Sequence, residues 1–273
     1  MNLPFSCTNS QLSSSSIERY SSRGFGWLQS IRDSRDLTPN TPHIRESLLS
    51  LDKRDESPAA VDLREYFPEV QEQRQLNSSA AHAAISLLEY FERRVNGVAV
   101  EPSRMFLYYI TRKLLRTPGN CGTDLRSTFK AMIRFGIPPE LHWPYEVDKC
   151  DEPPDAFLYS LASQLTGTEY VRLDVSNSTG ERTLQIVRAF LAAGFPVVFG
   201  FPVPNSITSE PDIPYRPTTD AILGGQAAIA VGYDDRHVCD CRGALLFRNS
   251  WGKEWGEGGC GWLPYSFVEH QLA

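Results

Sequence analysis

The spacing of the apolar residues changes near the middle of the chain, and this change limits the folds that the sequence can adopt. Between residues 79 and 91 the apolar residues recur every three or four positions, which predicts an amphipathic helix that stops before Asn96-Gly97. From about residue 195 onward, short apolar runs such as "FPVVFGF" and "AAIAVGYDD" alternate with turn residues and predict strands. Helices followed by strands are typical of an α+β protein with two halves, between which a ligand cleft is expected.

Four more helices and one more strand are predicted on either side of this change. Ser103 is a suitable cap for the helix that follows it, because its hydroxyl can accept a hydrogen bond from a free N–H of the first turn. The other helices are predicted over residues 123–135, 155–165 and 181–194. The segment "YVRLD", residues 170–174, is predicted to be a strand.

The composition excludes several classes of function. A hydrophobic fraction of 41% and a charged fraction of 22% over 273 residues are ordinary for a soluble globular protein. The formal charge of -6 argues against a nucleic-acid partner, because phosphate contacts favour basic surfaces. No apolar run approaches the roughly 18 residues that cross a bilayer, so no membrane contact is expected. The glycines form no phosphate-binding pattern, and no cofactor is expected.

The amino-terminal sequence predicts the cellular compartment. The segment "MNLPFSCTNSQLSSSS" has neither a basic stretch nor a sustained apolar stretch, so a secretory signal is not expected. Without export, the six cysteines are expected to stay reduced. The sequence therefore predicts a cytoplasmic protein.

Residues 1–57 differ from the rest of the chain and are interpreted as an amino-terminal extension. They are rich in Ser, Arg and Asp and show no long periodicity. The exception is "GFGWLQSIRDSRD", residues 24–36, whose apolar side chains could anchor a strap on the surface of the protein. These side chains are Phe25, Trp27, Leu28 and Ile31. The alternative is a solvated arm that carries a few scattered apolar residues.

Three segments, taken in order, resemble the papain-like cysteine peptidases, and in particular the bacterial-type members without the usual secretory prodomain. They are "VDLREYFPEVQEQRQLNSSAAHAAISLLEYF", "GGQAAIAVGYDD" and "FRNSWGKEWGEGGCGWLPYSFV". The resemblance implies an α+β fold with a helical half, an antiparallel β-barrel-like half and a cleft between them. On this basis residues 58–273 form the papain-like domain, with the helical half at about 70–165 and the β half at about 166–273.

The resemblance assigns a role to each position of the expected site. Gln73 takes the place of the oxyanion-hole glutamine, and Asn249 takes the place of the asparagine that orients the general base. Ser79 stands where the family has its cysteine nucleophile, and Gln226 stands where it has its histidine base. Trp251 matches the tryptophan that shields the asparagine–histidine contact. The frame of the site is thus kept, while its reactive pair is substituted.

Further candidate binding residues lie beside these positions. Arg74 and Asn77 replace two loop glycines that the family usually has before the nucleophile. Gly225 belongs to the Gly-Gly pair that precedes the base position. Together with Trp251, these residues are predicted to contact a ligand in the cleft.

The two substitutions remove the chemistry of the family. A papain-like thiolate forms because an adjacent imidazolium lowers the cysteine pKa to about 3–4. A serine hydroxyl instead needs a general base within hydrogen-bonding distance, and the amide of Gln226 cannot accept a proton near neutral pH. Losing the nucleophile or the base of a comparable serine enzyme lowers turnover on the order of a millionfold. The resemblance therefore predicts a pseudopeptidase whose cleft binds a peptide or an acyl-bearing partner.

Two other functions stay open on the sequence. The first is an enzyme of altered chemistry that uses Ser79 and the oxyanion pocket for acyl transfer, cyclisation or slow hydrolysis. His82 lies one helical turn beyond Ser79 and would be its base, although a structural, hydrogen-bonded role for His82 is favoured. The second is a scaffold that contacts its partner through an exposed surface rather than through the cleft.

The motif "HVCDC" indicates a different chemistry. On an extended strand His237, Cys239 and Cys241 would face the same side and could converge on a metal ion. A strong zinc motif has four well-spaced ligands, and no fourth ligand is near in the sequence. A hairpin edge with reduced thiols is therefore the favoured interpretation, and no metal is predicted.

Overall fold

A computed structural model describes residues 23–51, 58–98, 100–167, 169–175, 177–238 and 242–273. Its helices are α1 (Pro42–Leu51), α2 (Ser79–Phe91), α3 (Arg104–Leu115), α4 (Leu125–Phe135), α5 (Ala156–Ala162), α6 (Gly180–Ala192) and α7 (Tyr265–Glu269). Its strands are β1 (Trp27–Leu28), β2 (Ala60–Asp62), β3 (Thr123–Asp124), β4 (Val197–Pro204), β5 (Ile222–Val238), β6 (Arg242–Arg248) and β7 (Cys260–Pro264). None of the described helices combines the length and apolarity that a bilayer crossing requires.

The helical half packs around α2, whose first turns are built from small residues. The alanines of this helix are almost fully buried, which lets neighbouring backbones approach it closely. Helix α3 begins at the predicted cap, because the Ser103 hydroxyl accepts a hydrogen bond from Phe106 N at 3.1 Å. Helix α4 ends at Gly136, which takes a positive φ of 70°. The predicted helices of this half are therefore confirmed, with boundaries that shift by a few residues.

The second half is a five-stranded antiparallel sheet in the order β2-β5-β6-β7, with β4 also paired to β5. Strand β5 is its longest member at 17 residues and contributes a continuous buried apolar stretch. Helix α6 packs on this sheet, as its amphipathic pattern predicts. The α+β class with a helical half and a β half is confirmed.

The two halves meet where α2 begins. Each half has its own apolar core, and a smaller cluster of Ala80, Ala83 and Ala227 joins α2 to β5. The cleft runs between two walls. One wall is the loop that precedes α2, residues 73–78, and the other includes the Gly224-Gly225 pair of β5. Small side chains on both sides bring the two walls close together at this point.

One predicted strand is wrong. Residues 170–174 form no strand, and only Val171 makes an isolated bridge, which is to Leu37 of the amino-terminal extension. The side chain of Arg172 is instead held by Asp174, at 2.6 Å between Nη2 and Oδ2. The segment alternates apolar and charged residues as a strand would, but among the described residues it bridges to the extension rather than to the sheet.

The described part of the extension crosses the boundary between the two halves. We call residues 23–41 the strap. Strand β1 of the strap pairs in parallel with β3, and Gly26 makes a parallel bridge to Gly225 of β5. Farther along, Arg126 of α4 forms ion pairs with Asp33 and Asp36 of the strap. Over these residues the extension is an anchored strap, not a solvated arm. Its apolar anchors are Phe25 and Trp27, which pack on the core. The prediction of Leu28 and Ile31 as anchors is wrong, because their side chains are exposed.

Candidate functional site

Ser79 lies at the first position of α2 and faces β5. Its Oγ accepts a hydrogen bond from the backbone N–H of Ala227 at 3.2 Å, and the residue is 0% exposed. The hydroxyl therefore joins the two halves of the fold. Because Ala227 follows Gln226 directly in β5, the position assigned to the base also lies beside the helix start.

The side chain of Gln226 is the centre of a buried polar cluster. Its Nε2 donates towards Gln73 Oε1 at 2.9 Å, Asn249 Oδ1 at 2.8 Å and Ser250 Oγ at 3.2 Å. Ser250 in turn donates its hydroxyl hydrogen to Gln73 Oε1 at 2.6 Å. We call Ser79, Gln73, Gln226, Asn249 and Ser250 the neutral cluster. The structure thus brings the side chains of Gln73, Gln226 and Asn249 into hydrogen-bonding contact, while Ser79 bonds to the residue that follows Gln226.

The orientation of each amide follows from its partners. Gln73 Nε2 donates to two backbone carbonyls, those of Leu76 at 2.8 Å and Gly24 at 3.0 Å, so its Oε1 must face Gln226. Asn249 Oδ1 accepts from the backbone N–H of Ser250 at 2.9 Å, so it too presents an acceptor to Gln226. Gln226 must therefore donate to both, a role that a side-chain amide can fill at any pH.

Ser250 belongs to the site although the sequence analysis did not name it. It is 5% exposed and contacts both glutamines of the cluster. Its position directly after Asn249 was the available signal. A serine beside a predicted site residue is too common to be selected without the fold.

His82 contacts Ser78 rather than Ser79. Its Nδ1 lies 3.1 Å from the carbonyl oxygen of Ser78 and 3.3 Å from Ser78 Oγ, and its ring packs edge-on against Tyr145. The carbonyl contact requires the ring proton on Nδ1. Burial, followed by the nearby Arg104, lowers the pKa of His82 to about 3. His82 is therefore a neutral, structural histidine, which agrees with the favoured interpretation of the sequence.

The neutral cluster contains no titratable side chain. Within the described residues, no imidazole or carboxylate forms a hydrogen bond with Ser79 or Gln226. The Ser79 hydroxyl oxygen accepts a backbone N–H, a group that cannot remove the hydroxyl proton. Among the described residues, the hydrogen-bonding partners of Ser79 and Gln226 are amides, hydroxyls and backbone groups, which do not accept a proton near neutral pH.

The strap lies in the cleft directly above the cluster. Gly24 N donates to the carbonyl oxygen of Arg74 at 3.2 Å, and Thr123 N donates to the carbonyl oxygen of Gly26 at 2.8 Å. On the other side Gly26 bridges to Gly225. The carbonyl of Gly24 also occupies the Gln73 amide, the group that the resemblance assigns to the oxyanion hole. The strap therefore fills the cleft as an extended peptide held from both walls.

The candidate binding residues contact this strap in different ways. Arg74 is exposed and has a positive φ of 52°, so it contributes its backbone rather than its guanidinium to the contact with Gly24. Asn77 is fixed by Asn120, whose Oδ1 accepts from Asn77 N at 2.7 Å, and its backbone abuts Gly26. Glycine, which the family usually has at this position, adopts a positive φ at a lower steric cost than arginine does.

Trp251 forms one end of the cleft. It is 1% exposed and packs edge-on against Phe25 of the strap, with ring centroids 6.1 Å apart, and against Trp255 at 5.0 Å. The Arg23 guanidinium lies 5.4 Å from its ring centroid. Among the described residues, the ring of Trp251 therefore packs against the strap at Phe25 and Arg23.

The candidate metal motif is only partly described. His237 Nε2 lies 2.6 Å from Asp212 Oδ1, and its ring stacks on Trp262 with centroids 4.2 Å apart. Cys239 and Cys241 lie outside the described residues. Across the described parts of the chain, no three metal-ligating side chains are placed to hold an ion together. The imidazole of His237 is used in a hydrogen bond and a stacking contact.

A two-halved α+β fold with a polar cluster at the start of the central helix defines a class of protein. Residues 57–266 match the model of the papain family of cysteine proteases. The chain belongs to this family. The match includes residues of both halves of the fold.

Individual relatives agree with this assignment. The uncharacterized peptidase C1-like protein L477 of Acanthamoeba polyphaga mimivirus is 30% identical in an alignment 271 residues long. The match covers 90% of this chain and 83% of the viral protein. Xylellain, a cysteine protease from Xylella fastidiosa, superposes with a TM-score of 0.73 at 28% identity over 91% of this chain and 92% of its own. Digestive procathepsin L2 proteinase from Tenebrio molitor larval midgut shares the fold at 19% identity, with a TM-score of 0.66 over 90% and 74% of the two chains.

Proposed function

We propose that this chain is a papain-family pseudopeptidase whose cleft binds a peptide without cleaving it. The observation that carries the proposal is the hydrogen-bonding role of Gln226. Its amide donates to both Gln73 and Asn249, where an imidazole would have to accept a proton from the nucleophile. The position assigned to the base therefore holds a group without acid–base chemistry.

The strap supports the binding part of the proposal. It occupies the cleft as an extended chain with backbone hydrogen bonds to both walls, which is how a peptide partner would be held. These backbone contacts favour a peptide over an acyl-bearing partner. An acyl chain could not reproduce the N–H and C=O contacts that Gly24 and Gly26 make.

The first test is direct. The full chain is incubated with fluorogenic peptides and with serine- and cysteine-directed covalent probes, and Ser79→Ala is the matched control. We expect neither hydrolysis nor labelling above the control. Turnover that Ser79→Ala abolishes would instead support an enzyme of altered chemistry, and the pseudopeptidase proposal would be wrong.

The second test restores the reactive pair. Ser79→Cys combined with Gln226→His, in a background where Trp27→Ala weakens the strap, should produce measurable peptidase activity because the frame of Gln73, Asn249 and Trp251 is present. Each single substitution serves as a control and should stay inactive. A folded triple variant that binds peptide but hydrolyses none would show that the positions were assigned incorrectly.

The partner and the compartment are proposed together. The protein is cytoplasmic in this proposal, with its cysteines reduced, and its partner is a protein with an extended segment that replaces the strap. Cell fractionation followed by thiol labelling tests the compartment. Co-purification with Gly225→Leu as the control tests the partner, because a leucine on the cleft wall should abolish a cleft contact and leave an exposed scaffold surface unchanged.

A further inference from the structure

The four strap residues in the cleft alternate between glycine and an aromatic residue, and each type has a separate role. Gly24 and Gly26 are buried against the loop before α2, while Phe25 and Trp27 extend towards the β half. The pattern Gly-Phe-Gly-Trp therefore matches the two walls of the cleft residue by residue.

The loop wall excludes side chains at both glycines. A Cβ placed on Gly24 would lie 2.3 Å from the carbonyl oxygen of Leu76, and one on Gly26 would lie 2.0 Å from the carbonyl oxygen of Asn77. Both neighbours are backbone atoms, which cannot move aside as a flexible side chain can. Asn77 is fixed further by its hydrogen bonds with Asn120. Any peptide in this register needs glycine at these two positions.

The β wall is shaped in turn for the aromatic residues. A Cβ on Gly200 would lie 2.0 Å from Trp27 Cε2, and one on Gly224 would lie 2.6 Å from Phe25 Cβ. The floor under Trp27 is the alanine cluster of Ala80, Ala83 and Ala227. Missing side chains on this wall make room for an indole, and the pocket is apolar around it.

We propose that the cleft recognises peptide segments of the sequence glycine–aromatic–glycine–tryptophan, and that residues 24–27 are the copy that the chain supplies to itself. This proposal rests on the proposed function and names the ligand class of the same site. A tethered segment has an effective concentration on the order of millimolar, so it competes strongly with any free peptide. A partner segment with the same four-residue pattern binds once the strap is displaced.

The test measures binding of a labelled peptide to the full chain by fluorescence anisotropy. The probe is residues 21–30, "SSRGFGWLQS", with a fluorophore at its amino terminus. We expect it to bind Trp27→Ala, whose strap is weakened, at least tenfold more tightly than the unsubstituted protein. Ile31→Ala is the matched control, because Ile31 belongs to the strap but is 85% exposed and lies outside the cleft. It should bind the probe as the unsubstituted protein does.

Changes in the probe test the sequence requirement itself. Probe peptides with Gly26→Val or Trp27→Ala should lose at least tenfold in affinity for the strap-weakened protein. A probe with Phe25→Tyr should keep its affinity, because the aromatic ring is retained. Equal binding of the valine and glycine probes would overturn the recognition rule and leave cleft binding intact. Cleavage of the probe would instead overturn the proposed function.

Two further variants keep the test decisive if Trp27→Ala does not fold. Gly26→Val in the protein displaces the strap through backbone contact alone, and it should raise probe affinity in the same way. Adding Gly200→Leu to either strap variant fills the indole pocket, and probe affinity should then fall at least tenfold. Binding that survives Gly200→Leu would place the probe outside the cleft and overturn the proposal.

Discussion

Helix α2 carries two buried polar clusters of opposite character. At its start, the neutral cluster consists of hydroxyls and amides only. Nearer its end, Glu89 pairs with Arg104 of α3 at 2.6 Å. Burial raises the pKa of Glu89, and the positive charges of Arg104 and of Arg248 in β6 oppose this rise. We call Glu89, Arg104 and Arg248 the charged cluster. Helix α2 thus contributes to a buried ion pair near its end, whereas at its start it contributes the uncharged Ser79 to the cleft.

The contrast shows where charge is tolerated in this fold. The charged cluster is closed by backbone contacts, since Arg248 donates to the carbonyl oxygens of Pro68 and Glu69, both at 2.8 Å. In the neutral cluster Gln73 Nε2 donates a hydrogen bond to the carbonyl oxygen of Gly24 in the strap. In the proposed function a partner peptide replaces the strap, so this bond is exchanged when the partner binds. A charged side chain without a partner in the neutral cluster would lose its hydration each time a peptide entered the cleft, at a cost in free energy. An uncharged amide can instead form hydrogen bonds with the backbone of the strap or of another peptide.

The largest expected effect is in the charged cluster. Glu89→Ala leaves the Arg104 guanidinium buried without its carboxylate, which should lower the free energy of unfolding by about 3–5 kcal/mol. Urea unfolding followed by tryptophan fluorescence measures the change. The double variant Glu89→Leu with Arg104→Met should lose much less, because it leaves no unpaired charge. A loss below about 1 kcal/mol in Glu89→Ala would contradict the description of a buried ion pair.

A smaller loss is expected in the neutral cluster. Gln226→Leu removes the donor to Gln73 and Asn249, but each of their oxygens keeps a second donor from Ser250. The free energy of unfolding should therefore fall by about 1–3 kcal/mol. Gln226→Glu is the sharper variant, since above neutral pH its carboxylate would face two acceptors and destabilise more than leucine does. If glutamate were tolerated as well as glutamine, the amide orientations inferred for the cluster would be wrong.

The pH dependence of stability separates His82 from both clusters. Its pKa is lowered by burial to about 3 in the folded protein, against about 6.5 in an unfolded chain. A lowered pKa means that the unfolded state binds the proton first, so the stabilising contribution is present above pH 6.5 and is lost as the pH falls. Between pH 7.5 and 5.5 the loss should be about 1 kcal/mol.

His82→Asn isolates this contribution from the other histidines. Between pH 7.5 and 5.5, the free energy of unfolding of this variant should fall by about 1 kcal/mol less than that of the unsubstituted protein. Parallel curves for the two proteins would show that folding does not lower the pKa of His82, so that its ring is protonated in the folded protein at pH 5.5. That result would contradict the neutral, Nδ1-protonated ring.

The smallest effect is expected at the rim of the cleft. Arg74→Gly relieves a left-handed backbone conformation but increases the freedom of the unfolded chain, and these effects nearly cancel. The free energy of unfolding should change by less than about 0.5 kcal/mol. Trypsin should cut the strap at Arg32 and Arg35 at an unchanged rate, because the contact with Gly24 uses the backbone of residue 74. Faster cleavage would show that the Arg74 side chain holds the strap.

The sequence predicted the helix boundaries because their signals are local. The helix that begins at Ser79, the cap at Ser103 and the stop at Gly136 each depend on residues within one turn of the chain. The assigned positions of Gln73, Gln226 and Asn249 came from ordered segments that resemble the papain family, and the structure places them in hydrogen-bonding contact. What such motifs encode is which residue types must meet.

Tertiary structure alone decided what these residues do once they meet. The hydrogen bond from Gln73 to Gly24 connects residues that are 49 positions apart in the chain. The hydrogen bond from Gln226 to Ser250 connects residues that are 24 positions apart. Residues 170–174 have a strand-like pattern, yet the packing of the strap leaves them with a single bridge. Periodicity reports which face of an element is buried, but the partner that buries it depends on how distant elements pack. For this protein the sequence determined a papain frame and, through the resemblance, an expected strap near or across the cleft. The fold determined which strap residues lie in the cleft and which groups they contact.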